Sequence, residues 1–318
     1  MKLKCRLCQS NELISFHKID EKNTLYKCSL CTFVQIPTNN LNQLDDQANK
    51  ESIIQDMYRK TAKEDLNIYT DEDLPDPLSN LIHVMREDSK RIIPLISSLL
   101  KNEASSFIDI GSGYGQLSFD LAKSNSNLDI HLLETSRERL ELGIKGFKVN
   151  RDEFTFHHRL LDKNFASEYT QSFEICLCFH VLEHVYDIKD FIRNLFLITK
   201  NGGTIIIEVP NEDDDLLRLS SGYSKIVRFP AHVNSFNQKT LSLLLKTLNE
   251  DSYKVEFVPV QRYGFYNYIE WLRYNEKAKI SSDDYIPRDE KSWIESIWLE
   301  KKSKGMTTDS IMLIIKKL

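Results

Sequence analysis

No apolar run in this 318-residue chain approaches the roughly 20 residues that a bilayer-spanning helix needs. The first residues, MKLKCRLC, hold no apolar h-region, so no secretory signal is expected and a cytoplasmic location is. Positive charge is not in excess either. The 42 Lys and Arg face 47 Asp and Glu, a formal charge of −5, which leaves no general electrostatic footprint for nucleic acid. Glycine is sparse at 10 residues, so three of them within positions 111–115 stand out. Of the six cysteines, four fall in two metal-like pairs, and a chain this long needs no disulfide staples. What remains, 41% hydrophobic and 28% charged, is an ordinary globular composition, long enough for one large domain and a small one.

The chain is organised around Ser106 to Gln116, SFIDIGSGYGQ. Phe107, Ile108 and Ile110 form an apolar run with one acid, Asp109, near its end. Gly111, Gly113 and Gly115 follow at alternate positions, with Ser112 between the first two, and LSFDLAKS then has helical spacing. This reads as a strand, a tight turn and a helix N-terminus. Glycine permits the sharp turn and a close approach by a ligand. The helix start offers unpaired N–H groups and positive dipole character to an anion. The next apolar strand, Leu128 to Leu133, ends in Glu134 and Thr135, about 20 residues downstream, where a ribose-binding acid belongs.

The dinucleotide fingerprint is G-x-G-x-x-G, and here the third glycine comes one residue early. That G-x-G-x-G spacing, with an acid two residues before it and Glu134 beyond, resembles the class I S-adenosylmethionine (SAM) methyltransferases. The resemblance covers about residues 80–260. It implies that the SAM carboxylate and amino group lie near Asp109 and the glycine turn. It further implies that Glu134 holds the ribose hydroxyls, that Asp162 faces the adenine amino group and that backbone around Phe179 lies near the methionine portion. The plainer reading is a doubly wound fold with a surface Glu134.

Residues 1–40 carry Cys5-Arg6-Leu7-Cys8 and Cys28-Ser29-Leu30-Cys31, separated by 19 residues. This spacing suits a structural zinc site in which two knuckles complete a tetrahedron of thiolates. LISFHKI and TLYKCSL read as short strands, so a zinc ribbon is expected, with the metal supplying folding energy. The competing reading, two redox dithiols, calls for a thioredoxin-like context that is missing. Residues 41–80 read as a polar linker and lid, with a helix near Glu51 to Lys63 and tyrosines Tyr58 and Tyr69 as lid or packing residues. Residues 81–318 read as the main domain. A long amphipathic helix over 81–102 with a kink at Pro94 leads in, and strands and helices then alternate as in a parallel α/β sheet.

Phe154 to Asp162 reads as the third strand and Phe173 to Val185 as the fourth with its exit. A helix ending at Gly202 and Gly203 follows, and GTIIIEVPN is the fifth strand, apolar throughout. The acids of NEDDD, Asn211 to Asp215, read as a solvated loop. Two helices are expected in an insertion at about 263–306, before a last strand at TDSIMLIIKK. The expected fold is therefore α/β, a Rossmann-like seven-stranded sheet with helices on both faces. To it are added the small N-terminal zinc ribbon and the helical insertion. The resemblance implies that the seventh strand is antiparallel.

Ligands of open α/β sheets lie at the carboxyl ends of the strands. Two histidine-bearing segments belong there. HVLEH, with His180, Glu183 and His184, resembles the E-x-x-E-H segment of ubiquinone-type O-methyltransferases, in which a divalent ion can bind, with His180 in place of the leading Glu. Alternatively, Glu183 and His184 only orient the next helix. RFPAHVNSFN, with His232, resembles the H-E-H-x-x-x-F segment of sugar C-methyltransferases, but Ala231 and Pro230 break that signature. A histidine of ordinary pKa near 6.5 is a plausible base, so His180 or His232 is expected to assist proton removal from a hydroxyl.

The combination resembles methyltransferases of bacterial surface-polysaccharide pathways. It implies SAM as cofactor, structural Zn2+ and a small-molecule acceptor, a nucleotide-linked sugar or glycan, methylated on oxygen. The alternatives are a sugar C-methyltransferase, a methyltransferase acting on a quinone or lipid precursor, and a non-catalytic zinc-binding protein that uses the SAM fold as a platform.

Overall fold

A computed structural model describes residues 3–37 apart from 20 and 22, 77–100, 105–248 apart from 126, 252–275 and 293–318. The expected lid helix, Tyr58 and Tyr69 lie outside the described residues.

Seven strands form the main sheet: β4 (Ser106–Ile110), β5 (Asp129–Leu133), β6 (Thr155–His157), β7 (Phe173–Phe179), β8 (Thr199–Pro210), β10 (Tyr253–Val260) and β11 (Ser310–Lys317). Their order is β10-β11-β8-β7-β4-β5-β6. The β4–β5, β4–β7, β5–β6 and β7–β8 pairs are parallel, whereas β11 runs antiparallel between β8 and β10. This is the expected Rossmann-like seven-stranded sheet. Alternation along β4 divides the core. Phe107 joins Ile92 and Ile96 of α1 (Pro77–Leu99), Phe119 of α2 (Gln116–Ser124) and Leu140 of α3 (Arg137–Phe147) on one face. Ile108 and Ile110 join Phe165 of α4 (Lys163–Glu168) and Phe191 and Leu195 of α5 (Ile188–Ile198) on the other.

Several boundaries differ from expectation. Helix α1 starts at Pro77, earlier than residue 81. Proline suits a first helical position, where no N–H is needed, and the helix continues through Pro94. Strand β6 stops at His157, because Asp162 serves as the N-cap of α4 and its Oδ1 accepts the Phe165 N–H at 2.7 Å. Helix α5 ends at Ile198, before the glycine pair. Gly202, at φ 71, lies instead in an irregularity of β8, where Phe173 pairs with Thr199 but Ile175 pairs with Thr204. Nor is β8 apolar throughout, since Glu208 is fully buried in it.

The N-terminal segment forms a second sheet from β1 (Leu13–Lys18), β2 (Thr24–Cys28) and β3 (Val34–Gln35), all antiparallel. It is completed by β9 (Asn234–Ser235) from the far side of the chain. Phe33 packs on Phe236 with ring centroids 5.4 Å apart, and Cys5, Cys28 and Cys31 share the apolar core of the main sheet. The ribbon therefore leans on the larger domain for burial that so small a sheet lacks by itself. The NEDDD loop, expected to be solvated, is instead pinned by cations. Buried Asp214 meets Lys302 Nζ at 2.9 Å, Lys302 also pairs with Asp215, and Glu212 pairs with Arg228. Lys302 belongs to α7 (Trp293–Lys304). Together with α6 (Phe265–Tyr274), it supplies the two described helices of the insertion, anchored here to the loop after β8.

Candidate active site

The strand–turn–helix at β4 brings Asp109, the three glycines, Ser112 and Glu134 together. Gly111, Gly113 and Gly115 all take left-handed φ values, 70°, 58° and 77°. A Cβ on Gly111 would stand 2.4 Å from Val181 Cγ2, and one on Gly115 would stand 2.6 Å from the Phe119 ring. Two of the three glycines are thus required by sterics as well as by φ. At Gly113 a Cβ would meet nothing within 4 Å, so the turn opens there onto space that an incoming group is able to use. The buried Ser112 hydroxyl beside it has no hydrogen-bond partner, which suits a polar ligand.

Glu134 is held firmly at this turn. Its Oε2 accepts the Gly113 N–H at 3.0 Å, and its Oε1 accepts the Ser136 N–H at 2.8 Å and the Thr135 hydroxyl at 3.3 Å. Asp109 is buried under the turn, and its Oδ2 accepts the Ser118 hydroxyl at 2.8 Å. Burial lifts its carboxyl to about 7. The Ser118 bond opposes this and the Glu134 charge adds to it. Asp162 lies past the end of β6, with its cap on α4 using one oxygen. Phe179 ends β7 opposite Glu208 of β8.

Beyond β7 the chain turns sharply. His180 has φ 52° and donates its N–H to the Glu208 carbonyl at 2.9 Å. Its Nδ1 stands 3.4 Å from Glu183 Oε1 and its Nε2 stands 3.4 Å from Glu208 Oε1. Burial and Arg262 oppose the imidazolium, but the two carboxylates outweigh them and lift His180 to about 9. Near neutral pH His180 is therefore a cation. Glu208 also takes a two-pronged Arg91 at 2.7 and 3.0 Å. Asp88 joins Arg91 at 3.0 Å to Arg262 at 2.6 Å, and Asp309 accepts the Arg262 N–H at 2.9 Å. Sequence reasoning missed this network, whose one visible sign was an acid inside the apolar run of β8.

Glu183, His184 and His232 form a second convergence, each offering a ligand-type atom within 4.8 Å of the others. His184 Nδ1 pairs with the Ala231 carbonyl at 2.9 Å and His232 Nδ1 with the Val227 carbonyl at 2.6 Å. Because a carbonyl only accepts, both histidines donate from Nδ1, and Nε2 carries the lone pair in each. Burial and the neighbouring His184 push His232 down to about 3, against the pull of Glu183. Glu183 is held near 2, because three histidines outweigh its burial. Neither of its oxygens accepts a hydrogen bond, although the residue is 1% exposed. Val181, which packs against Gly111, belongs to the same HVLEH segment, so this cluster adjoins the glycine turn.

The four N-terminal thiols also converge within 4.8 Å, with Cys5 and Cys31 Sγ 3.5 Å apart and Cys8 and Cys28 Sγ 3.6 Å apart. None is in a disulfide. The two knuckles match. Gln9 and Thr32 both take left-handed φ and return their N–H to the carbonyls of Cys5 and Cys28 at 2.9 Å. Burial pushes the Cys5 thiol up to about 11 and raises Cys31 as well, whereas at Cys28 burial is outweighed by the backbone N–H groups of Cys31 and Leu30, which lower it. Such a donor set suits zinc. Among the described residues no helix is long and apolar enough to cross a membrane.

A family model described as a methyltransferase domain matches residues 82–249. The chain is 26% identical over 128 residues to the ubiquinone biosynthesis O-methyltransferase of Proteus mirabilis (strain HI4320), covering 39% of this chain and 51% of that protein. The chain thus spans about half the length of that curated relative. The plantazolicin methyltransferase BpumL, solved with SAH, superposes with a TM-score of 0.52 at 15% identity, covering 85% of this chain and 95% of that one. BpumL with a monoazolic desmethylPZN analog and SAH gives 0.52 at 14% identity, over 87% and 98%. At these identities the structural likeness shows the fold alone.

Proposed function

The chain belongs to the methyltransferase-domain family, and on that premise we propose that it transfers the methyl group of SAM to a hydroxyl of a small-molecule acceptor. The observation that carries this reading is the adjacency of two halves. The glycine turn with Glu134 forms a cradle, and the Glu183–His184–His232 cluster packs against it through Val181. When bound, SAM supplies an activated methyl group on a sulfonium that leaves readily. The chain's own task is to orient the acceptor oxygen and take up its proton.

Glu134 and the open backbone at Gly113 hold the cofactor side, with Asp109 and Ser112 beneath. His232 is the proton acceptor in this reading, because its Nδ1–H is held by the Val227 carbonyl and the lone pair sits on Nε2. Burial lowers it to about 3 from the ordinary value that the sequence suggested, so it is a weak base that takes the proton only as the acceptor oxygen gains the methyl group. His180, expected alongside it as a base, is already protonated near neutral pH. It serves instead as a fixed positive group bridging Glu183 and Glu208. The acceptor class we propose is a nucleotide-linked sugar or glycan, on the resemblance of HVNSFN and the surrounding segments. A phenolic quinone precursor is the rival, favoured by the ubiquinone-pathway relative. The four-thiolate site holds structural Zn2+ in the same reading.

The test is methyl transfer from labelled SAM to a panel containing both acceptor classes. His232→Ala is expected to lower turnover at least a hundredfold, in the range that general-base catalysis contributes, while SAH affinity measured by calorimetry stays within twofold. Full turnover in the variant would remove His232 from the mechanism.

A second reading is favoured by Glu183, whose carboxylate accepts no hydrogen bond and has only the 3.4 Å ion pair with His180. Two imidazole lone pairs and that carboxylate suit a divalent cation, which would acidify a bound hydroxyl. Mn2+, a poor guest for four thiolates, is then expected to bind with about one equivalent per chain by electron paramagnetic resonance and to fail in Glu183→Gln. Equal binding by wild type and variant would leave the cluster without a metal role.

A further inference from the structure

We propose that Arg6, inside the first cysteine knuckle, is a positioning residue for the Glu183–His184–His232 cluster. The inference rests on reading that cluster as the acceptor side of the site. Arg6 lies between two ligand-type cysteines, so a ribbon that needed only its metal would have no use for a guanidinium there. Its side chain nevertheless reaches out of the knuckle. Nε donates to Asn234 Oδ1 at 3.1 Å, one Nη donates to the Ile36 carbonyl at 3.0 Å and the other to the Val233 carbonyl. The guanidinium also lies over the Tyr186 ring, 5.0 Å from its centroid. Its own backbone N–H goes to Gln35 Oε1 at 2.8 Å.

The partners explain the consequence. Asn234 is 228 positions along the chain, and its Nδ2 donates to the carbonyls of Leu182 at 3.3 Å and Val185 at 2.6 Å. Those two residues bracket Glu183 and His184. On the other side of Arg6, Val233 donates its N–H to the Ala231 carbonyl at 3.0 Å, the same carbonyl that holds His184 Nδ1. Ile36 N–H to Val233 O at 3.0 Å and the β3–β9 pairing fasten this segment to the cysteine sheet. One fork of donors therefore ties the knuckle to the backbone that sets the tautomer of His184 and the height of His232.

Val233 and Asn234 are buried. A neutral residue at position 6 would leave Asn234 Oδ1 and the Ile36 carbonyl without this donor, and the Val233 carbonyl with only the Ile36 N–H, in a place that water reaches poorly. Lysine, a point charge without a fork, is able to satisfy one or two of them at best.

The test uses the full chain with its zinc and needs no acceptor. The readouts are the Nδ1–H signals of 15N-labelled His184 and His232, and hydrogen exchange over residues 181–186 and 231–236. Arg6→Met is expected to keep zinc content and SAH affinity within twofold. It is also expected to speed exchange in both segments by at least tenfold and to broaden or lose the His184 Nδ1–H signal. Arg6→Lys should fall between the two, and it carries the test if the methionine variant does not fold. Leu13→Ala, which loosens β1 of the same sheet without touching any of these bonds, is the control. Unchanged histidine signals and exchange in the Arg6 variants would overturn the proposal. So would equal effects from Leu13→Ala, which would reduce Arg6 to a contributor to ribbon stability. Either result leaves the base assignment of His232 to be judged separately by its own turnover.

Discussion

Replacing Glu208 with alanine is expected to destabilise the protein by about 3–5 kcal/mol, the cost of stranding buried charges when one partner of an ion network is removed. The carboxylate is fully buried in β8, holds Arg91 through two bonds and stands 3.4 Å from the His180 imidazolium. Alanine leaves both cations facing an apolar strand, and the Arg91–Asp88 link compensates only in part because Asp88 already serves Arg262. Urea unfolding with an unchanged m-value would give the difference directly, and thermal unfolding should fall by roughly 10 °C for a domain of this size.

The pH dependence has a definite sign. Glu208 is held near 2, below its ordinary 4.5, by His180 and Arg91 against the burial that would raise it. A depressed carboxyl contributes stability that is fully present above about 4.5 and is lost as the pH falls towards 2. The wild type should therefore lose stability more steeply than Glu208→Gln across that window. A Glu208→Ala protein as stable as wild type at pH 7 would show that the network is not needed for the fold.

Replacing Glu134 with alanine is expected to weaken SAH binding tenfold or more, equivalent to about 1.4 kcal/mol. Two effects add. The variant loses a charged acceptor, the group that the resemblance assigns to ribose hydroxyls. It also leaves the Gly113 and Ser136 N–H groups without their carboxylate, so the glycine turn loses the brace that holds it open. Glu134→Gln separates these contributions, since it keeps the shape and one acceptor but not the charge. Calorimetric titration with SAH is the measurement, and affinity unchanged in Glu134→Ala would remove the residue from the cofactor site. The two variants act through different elements. Glu208→Ala should leave SAH affinity largely intact in the folded fraction, and Glu134→Ala should cost less stability than Glu208→Ala, because the Gly113 and Ser136 N–H groups that it strands are only half-buried.

The glycine turn was legible because its requirements are local. A strand that must reverse into a helix within five residues needs left-handed backbone, and the sequence places glycine at each such position. Gly111 and Gly115 add steric necessity from Val181 and Phe119, which no spacing rule foretells. The cysteine knuckles were legible for the same reason, and their matched turns at Gln9 and Thr32 follow from the repeated C-x-x-C. The strand count followed from the apolar runs, and the antiparallel last strand from the resemblance to the methyltransferases, whereas the order of the strands across the sheet came only with the structure. By contrast, the acids of NEDDD read as solvent-facing because neither Lys302 nor Arg228 is near them in sequence. Glu208 was absorbed into an apolar run because its partner, Arg91, lies 117 positions earlier. The glycine pair after α5 suggested a helix stop, whereas pairing with β7 drew the chain into a strand sooner and used Gly202 for an irregularity.

By itself, then, the sequence determined whatever depends on neighbours: backbone reversals, strand and helix periodicity, the thiol pairs and the acids Asp109 and Glu134 at the ends of β4 and β5. Tertiary structure alone decided which buried charges meet, that His180 is a cation while His232 keeps a lone pair, and that Arg6 reaches Asn234 across the chain. The physical reason is that burial makes an unpaired charge or carbonyl costly. The identity of its partner is therefore fixed by what the folded sheet brings within about 3 Å, and that distance is unrelated to separation along the chain.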